Sequence, residues 1–174
     1  MKDRKLLNIE LGRLSADEYV NIRPESGVVL VLDNIRSAHN VGSAFRTADA
    51  FGVDKVYLGG ICPVPPSPEL RKVALGAEEV VPFEHVTDVV ALVERLKADG
   101  YTVVAVEQTA NSVKLDAFRR DPSTRYALVF GNEVEGVQQA VVDACDFALE
   151  IPQHGTKHSL NVSVSVGVIL WGIR

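Results

Sequence analysis

Between Ser159 and Trp171 the chain carries no charged side chain: SLNVSVSVGVILW. A stretch this apolar must be covered, by the chain's own core or by a second subunit. Valines at 162, 164, 166 and 168 alternate with Ser163, Ser165 and Gly167. Alternation fits a strand, but small residues along one side fit equally well a helix packed closely against other backbone. Periodicity leaves both open. The stretch is preceded by a strand end at Ile151 and a polar turn, His154-Gly155-Thr156-Lys157.

Upstream, apolar runs bounded by glycine or proline alternate with helical patterns. Gly27–Asp33, GVVLVLD, is continuously apolar up to its aspartate, as expected of a central parallel strand buried on both faces. Val41, Ala44, Phe45, Ala48 and Phe51 share helical spacing, which predicts a helix over Val41–Phe51 ended by Gly52. Further strands are expected at Asp54–Leu58, Val80–Phe83, Tyr101–Val106, Tyr126–Phe130 and Phe147–Ile151. Helices are expected over Val86–Ala98 and Val137–Ala144. Gly59–Ser67, GGICPVPPS, is a semi-rigid loop because its prolines fix φ and lack donors, and a short helix carrying Arg71 and Lys72 follows. Glu107–Ser123 reads as loop. Met1–Glu25 reads as a helical lead-in, with Ser15 and Glu18 spaced as a capping box. The pattern predicts one α/β domain over residues 1–174, with a mainly parallel sheet and helices on both faces.

A length of 174 residues suffices for a proper core. No apolar run reaches membrane-spanning length and the N-terminus lacks a signal-peptide core, so a cytoplasmic protein is expected. The two cysteines, Cys62 and Cys145, lie outside any ligand cluster and read as reduced structural thiols. The net charge of −5 disfavours a sequence-blind nucleic-acid binder, but a local basic face can still act within an acidic whole. Arg71, Lys72 and Lys157 are candidates for such phosphate contacts, and Lys2, Arg4, Lys5 and Arg13 fit either phosphate contact or a solvated helix.

Three stretches stand out chemically. The first is Asn34–Gly52, NIRSAHNVGSAFRTADAFG. Asn40 fits an N-cap, a position that is also an anion site. Arg46 offers a planar fork and a fixed charge, or a surface pair with Asp49 or Asp33. The second is Leu128–Val137, LVFGNEVEGV. Gly131 and Gly136 bracket a tight turn at a strand's carboxyl end, where α/β sheets hold ligands. No Lys-Ser/Thr follows, which excludes a triphosphate loop. Gly131 would let a ligand approach the backbone, and Glu133 fits a first-turn acid or a site residue. The third is Ile151–Trp171 itself, where Ser159 fits a helix cap or a polar site residue. His154 and His158 are four apart, but no third ligand accompanies them, so no metal is expected.

These three ordered motifs resemble those of the SpoU/TrmH family of RNA ribose 2′-O-methyltransferases, of the SPOUT class. The resemblance implies a C-terminal deep trefoil knot, a homodimer whose active sites draw on both subunits, and S-adenosyl-L-methionine as cofactor. It implies catalytic roles for Arg46, Asn40, Glu133, Ser159 and Asn161. It places the cofactor on Gly131, Asn132, Gly136, Ile151, Gln153 and Leu160, with Gln153 standing where many members carry methionine. The implied reaction is methyl transfer to a ribose 2′-OH of tRNA or rRNA. A non-catalytic RNA-binding or assembly protein on the same fold is the alternative. Base-nitrogen methylation is a third reading, disfavoured by the layout Asn40-Val41-Gly42…Arg46. The short chain, with no further RNA-binding domain expected at either end, fits a tRNA enzyme.

Overall fold

β1 is Val28–Asp33, and all six of its residues are buried. In the computed structural model its alternate side chains enter two separate cores. Leu30 and Leu32 pack with Phe45 and Ile169, whereas Val29 and Val31 pack with Val93 and Leu96. A strand buried on both faces is therefore central, as its unbroken apolar run predicts. The structure describes residues 3–12, 15, 18–19 and 25–174.

Six further strands complete the sheet: β2 (Lys55–Gly59), β3 (Phe83–Val86), β4 (Tyr101–Val106), β5 (Val113–Lys114), β6 (Arg125–Phe130) and β7 (Phe147–Glu150). Their order is β3-β2-β1-β6-β4-β7-β5, and every pairing among them is parallel. One face carries α1 (Ala38–Ala50), α2 (Pro68–Ala74), α3 (Ala77–Val80) and α6 (Val162–Gly172). The other carries α4 (Val89–Ala98) and α5 (Gln139–Ala144). No described helix is long and apolar enough to cross a membrane.

The C-terminal stretch is a helix, not a strand. Asn161 caps α6 by accepting from the Ser163 backbone N–H at 2.9 Å. A Cβ on Gly167 would reach only ordinary contact, 4.0 Å, with Thr47 of α1. A Cβ on Gly172 would come within 2.8 Å of Leu115.

Several expected boundaries shift for local reasons. The strand expected at Val80–Phe83 begins at Phe83 instead, because Gly76, at φ +94°, starts the short helix α3, which includes Val80. The apolar Val80 and Val81 then serve the helix end and the core, not a strand. α1 begins before Val41 because Ser37 caps it, and α4 begins at Val89 because Asp88 caps it. β5 is an exposed pair of residues inside the segment read as loop, too short to carry a pattern. At the N-terminus a 3-10 turn spans Asn8–Leu11. The Ser15–Glu18 box forms, with the Ser15 N–H donating to Glu18 at 2.9 Å and the Glu18 N–H to Ser15 Oγ at 3.4 Å. Residues 3–7, 12 and 25 are not helical, against the helical lead-in expected there, and the remaining positions, with Lys2 and Arg13, lie outside the described residues. Arg4 is held by Glu10 at 2.7 Å.

Cys62 is a structural thiol. It is buried, donates to the Leu32 carbonyl at 3.2 Å and accepts from the Ile35 N–H. Burial pushes its pKa up to about 11, and that of Cys145 to about 12, so neither thiol ionises near neutral pH.

Candidate active site

A cleft of about 350 Å³ opens over the carboxyl ends of β4, β6 and β7. This is where parallel α/β sheets bind ligands, because the loops leaving neighbouring strands diverge there. Three chain segments build it: the exit of β4 at Glu107 and Gln108, the turn after β6 at 131–136, and the run from Leu149 into α6.

The turn closes on itself. The backbones of Asn132 and Gly136 exchange hydrogen bonds at 3.1 Å in both directions. Asn132 Oδ1 accepts from the N–H groups of Val134 and Glu135, each at 2.9 Å. The side chain of Asn132 thus shapes the turn. Gly131 lines the cleft as expected, but the reason for glycine there is different. A Cβ would lie 1.9 Å from the Gly136 carbonyl carbon and 2.0 Å from the Val137 nitrogen. The close approach is made by the chain's own backbone. Gly136, at φ +70°, meets the carboxylate of Glu107 in the same way, at 2.2 Å from an added Cβ.

At the mouth of the cleft the three motifs meet. Asn40 Nδ2 donates to Glu133 Oε1 at 2.6 Å, and Asn40 Oδ1 accepts from Asn161 Nδ2 at 3.1 Å. Asn161 Oδ1 in turn accepts from Ser163 Oγ at 2.6 Å. Both amides are satisfied in one orientation only, which fixes Glu133 in place. The helix-cap alternatives weighed for Asn40 and Ser159 do not hold, since Ser37 caps α1 and Asn161 caps α6. Asn40 is 8% exposed, and its side chain serves the network.

Ser159, Ile151, Gln153 and Leu160 also line the cleft. Arg46, Arg71, Lys72 and Lys157 do not. Arg46 is exposed, six residues along α1 from Asn40, hence about 9 Å further along the axis and on a different face. Among the described residues it makes no ion pair. Asp33, one of the partners weighed for it, is buried and accepts instead from Asn34 and from the Gln138 backbone and side chain. Arg71 pairs with Glu79 at 3.0 Å on the surface, where such pairs add little stability.

Glu107 escaped the sequence reading. Its carboxylate accepts from the Val137 N–H at 3.0 Å and the Gln108 N–H at 2.8 Å, bracing the turn against β4. Its signal was positional: the first residue beyond a buried strand at the ligand-binding edge. Among the described residues there is no cluster able to hold a metal ion.

These features define an α/β protein with a cleft at the carboxyl edge of a parallel sheet. Residues 27–171 match the SpoU rRNA Methylase family, and the chain belongs to that family. Among relatives, the 23S rRNA (guanosine-2'-O-)-methyltransferase RlmB of Pseudomonas putida is 34% identical over 160 residues, covering 92% of this chain. The chain spans only 63% of that relative's length. The crystal structure of the A. aeolicus TrmH/SpoU tRNA modifying enzyme superposes with a TM-score of 0.78 at 27% identity, covering 91% of this chain and 82% of that one. The AdoMet-bound rRNA methyltransferase of Sinorhizobium meliloti superposes at 0.77 with 29% identity, covering 88% of this chain and 58% of that one.

Proposed function

We propose that the protein transfers a methyl group from S-adenosyl-L-methionine to a ribose 2′-OH of tRNA or rRNA. The observation that carries this reading is the Glu133–Asn40–Asn161 network, which joins all three motifs at the rim of one cleft. The cleft suits the cofactor: an apolar wall at Ile151 and Leu160, a glycine turn offering backbone groups, and acidic side chains suited to a cation. When bound, the cofactor supplies an electrophilic methyl group, which the 2′-oxygen takes as the S–C bond breaks with its electron pair left on sulfur.

The chain's own residues provide position and charge. Glu133, fixed by Asn40, together with Ser159 and Asn161, orients the ribose against the cleft. Arg46 stabilises the developing alkoxide and clamps a phosphate, while the hydroxyl proton passes to phosphate or solvent, since a guanidinium hardly deprotonates. Because Arg46 lies off the cleft of its own chain, it serves the cleft of a second copy. Arg71, Lys72 and Lys157 add phosphate contacts.

The homodimer forms through α6. Val164 and Trp171 are 50% and 66% exposed, and with the half-buried Val168 they make an apolar stripe at i, i+4 and i+7. Val168→Glu should give monomer or insoluble protein without activity, read by ultracentrifugation; a wild-type monomer at micromolar concentration would remove the shared site. The chain forms a trefoil knot. In support, the segment leaving β4 pairs outside β7 as β5 before it returns to start β6, and Leu115 of that segment lies against Gly172 of α6. The enzyme acts in the cytoplasm.

Incubation of total tRNA and rRNA with labelled cofactor, followed by nucleoside mapping, tests the function. Label in 2′-O-methylated nucleosides is expected. Label on a base nitrogen would overturn the ribose assignment. Cofactor binding without transfer would favour a non-catalytic RNA-binding protein.

A further inference from the structure

We infer that Glu107 makes the cleft selective for the charge of its cofactor, favouring the sulfonium S-adenosylmethionine over the thioether S-adenosylhomocysteine. The inference rests on the cofactor reading above. Three glutamates line the cleft, Glu107, Glu133 and Glu150, and among the described residues no lysine, arginine or histidine does. Glu150 is neutralised by Lys114 from outside. Glu133 receives its hydrogen bond from a neutral amide, Asn40.

Among the described residues Glu107, like Glu133, pairs with no cation, and it is half-buried between the ends of β6 and β7. Its two backbone donors, on Val137 and Gln108, prevent it from swinging into solvent. A fixed negative charge in a cleft with low-dielectric walls acts on a cation without direct contact, because the walls focus the field.

Methyl transfer removes the positive charge from sulfur. The attraction that drew the cofactor in is then absent for the product, which leaves for the next cofactor to enter. Stabilising the sulfonium ground state costs something in the chemical step, so the gain lies in exchange.

Calorimetric titration of the whole protein with three probes tests this. The probes are S-adenosylmethionine, S-adenosylhomocysteine and sinefungin, which carries an amine cation in place of the methylsulfonium. Glu107→Gln keeps the shape and one backbone bond. It should cut the preference for both cationic probes over S-adenosylhomocysteine by about tenfold, the scale of one unit charge at several ångströms in a partly solvated site. Gln108→Lys leaves the carboxylate and its backbone bonds in place but sets a cation beside it. It should lower the same ratio, and it decides the matter if Glu107→Gln fails to fold. Weakening of all three probes alike in Glu107→Gln, with an unchanged ratio in Gln108→Lys, would make Glu107 a strut for the turn and overturn the inference. A wild-type protein that binds none of the probes would instead overturn the cofactor reading.

Discussion

Arg46→Ala should slow single-turnover methyl transfer by about 10² or more while leaving cofactor affinity nearly intact. That is the scale seen when a preorganised charge partner of a transition state is lost. The side chain is exposed and makes no ion pair among the described residues, so its removal should cost little stability. Arg46→Lys should recover little, because an ammonium keeps the charge without the planar fork. RNA affinity should fall only modestly, since Arg71, Lys72 and Lys157 remain; removing those three should instead flatten the salt dependence of binding. Single-turnover rates at saturating cofactor and RNA read the chemical step directly. Wild-type rates in Arg46→Ala would shift the catalytic assignment to Glu133, Ser159 and Asn161.

Gly131→Val should abolish binding of S-adenosylhomocysteine and also destabilise the protein. Inspection of the motif alone predicts a purely steric block of the cofactor in an intact fold. The geometry predicts otherwise, since the first added carbon already overlaps the backbone of Gly136 and Val137. The turn must open, which releases the Asn132–Gly136 bonds and moves Glu133 off Asn40. Overpacking of this kind costs about 1–3 kcal/mol. Urea denaturation beside calorimetry measures both losses, and even Gly131→Ala should show them in part. An unchanged unfolding midpoint in Gly131→Val would return the glycine to the role of cofactor clearance.

The sheet was legible because its strands are buried on both faces, and such strands write themselves as unbroken apolar runs. Tyr101–Val106 was read to the residue. Edge elements were not: β5 has two exposed residues, and β3 alternates between exposed and half-buried, so neither had a core to mark it. The ambiguity of the C-terminal stretch was real, because α6 is apolar on nearly every side and lacks a polar face to betray its period. At the site, the motifs located Asn40, Glu133 and Asn161, but their mutual hydrogen bonds join residues 93 and 121 positions apart, beyond any local pattern. Glu107 was missed because it is a single residue at a strand exit, and its importance lies in Val137, thirty positions away.

The Glu133–Asn40–Asn161 chain has a bearing on biogenesis. Asn40 and Glu133 precede Asn161 in the sequence, and Asn161 arrives only with α6. Without α6 the rim lacks Asn161, and the core beside β1 lacks Val166, Ile169 and Leu170. The rim is therefore complete only once α6 has docked against α1. Chains cut short before α6 should lack both the rim bond from Asn161 and the core side chains of that helix.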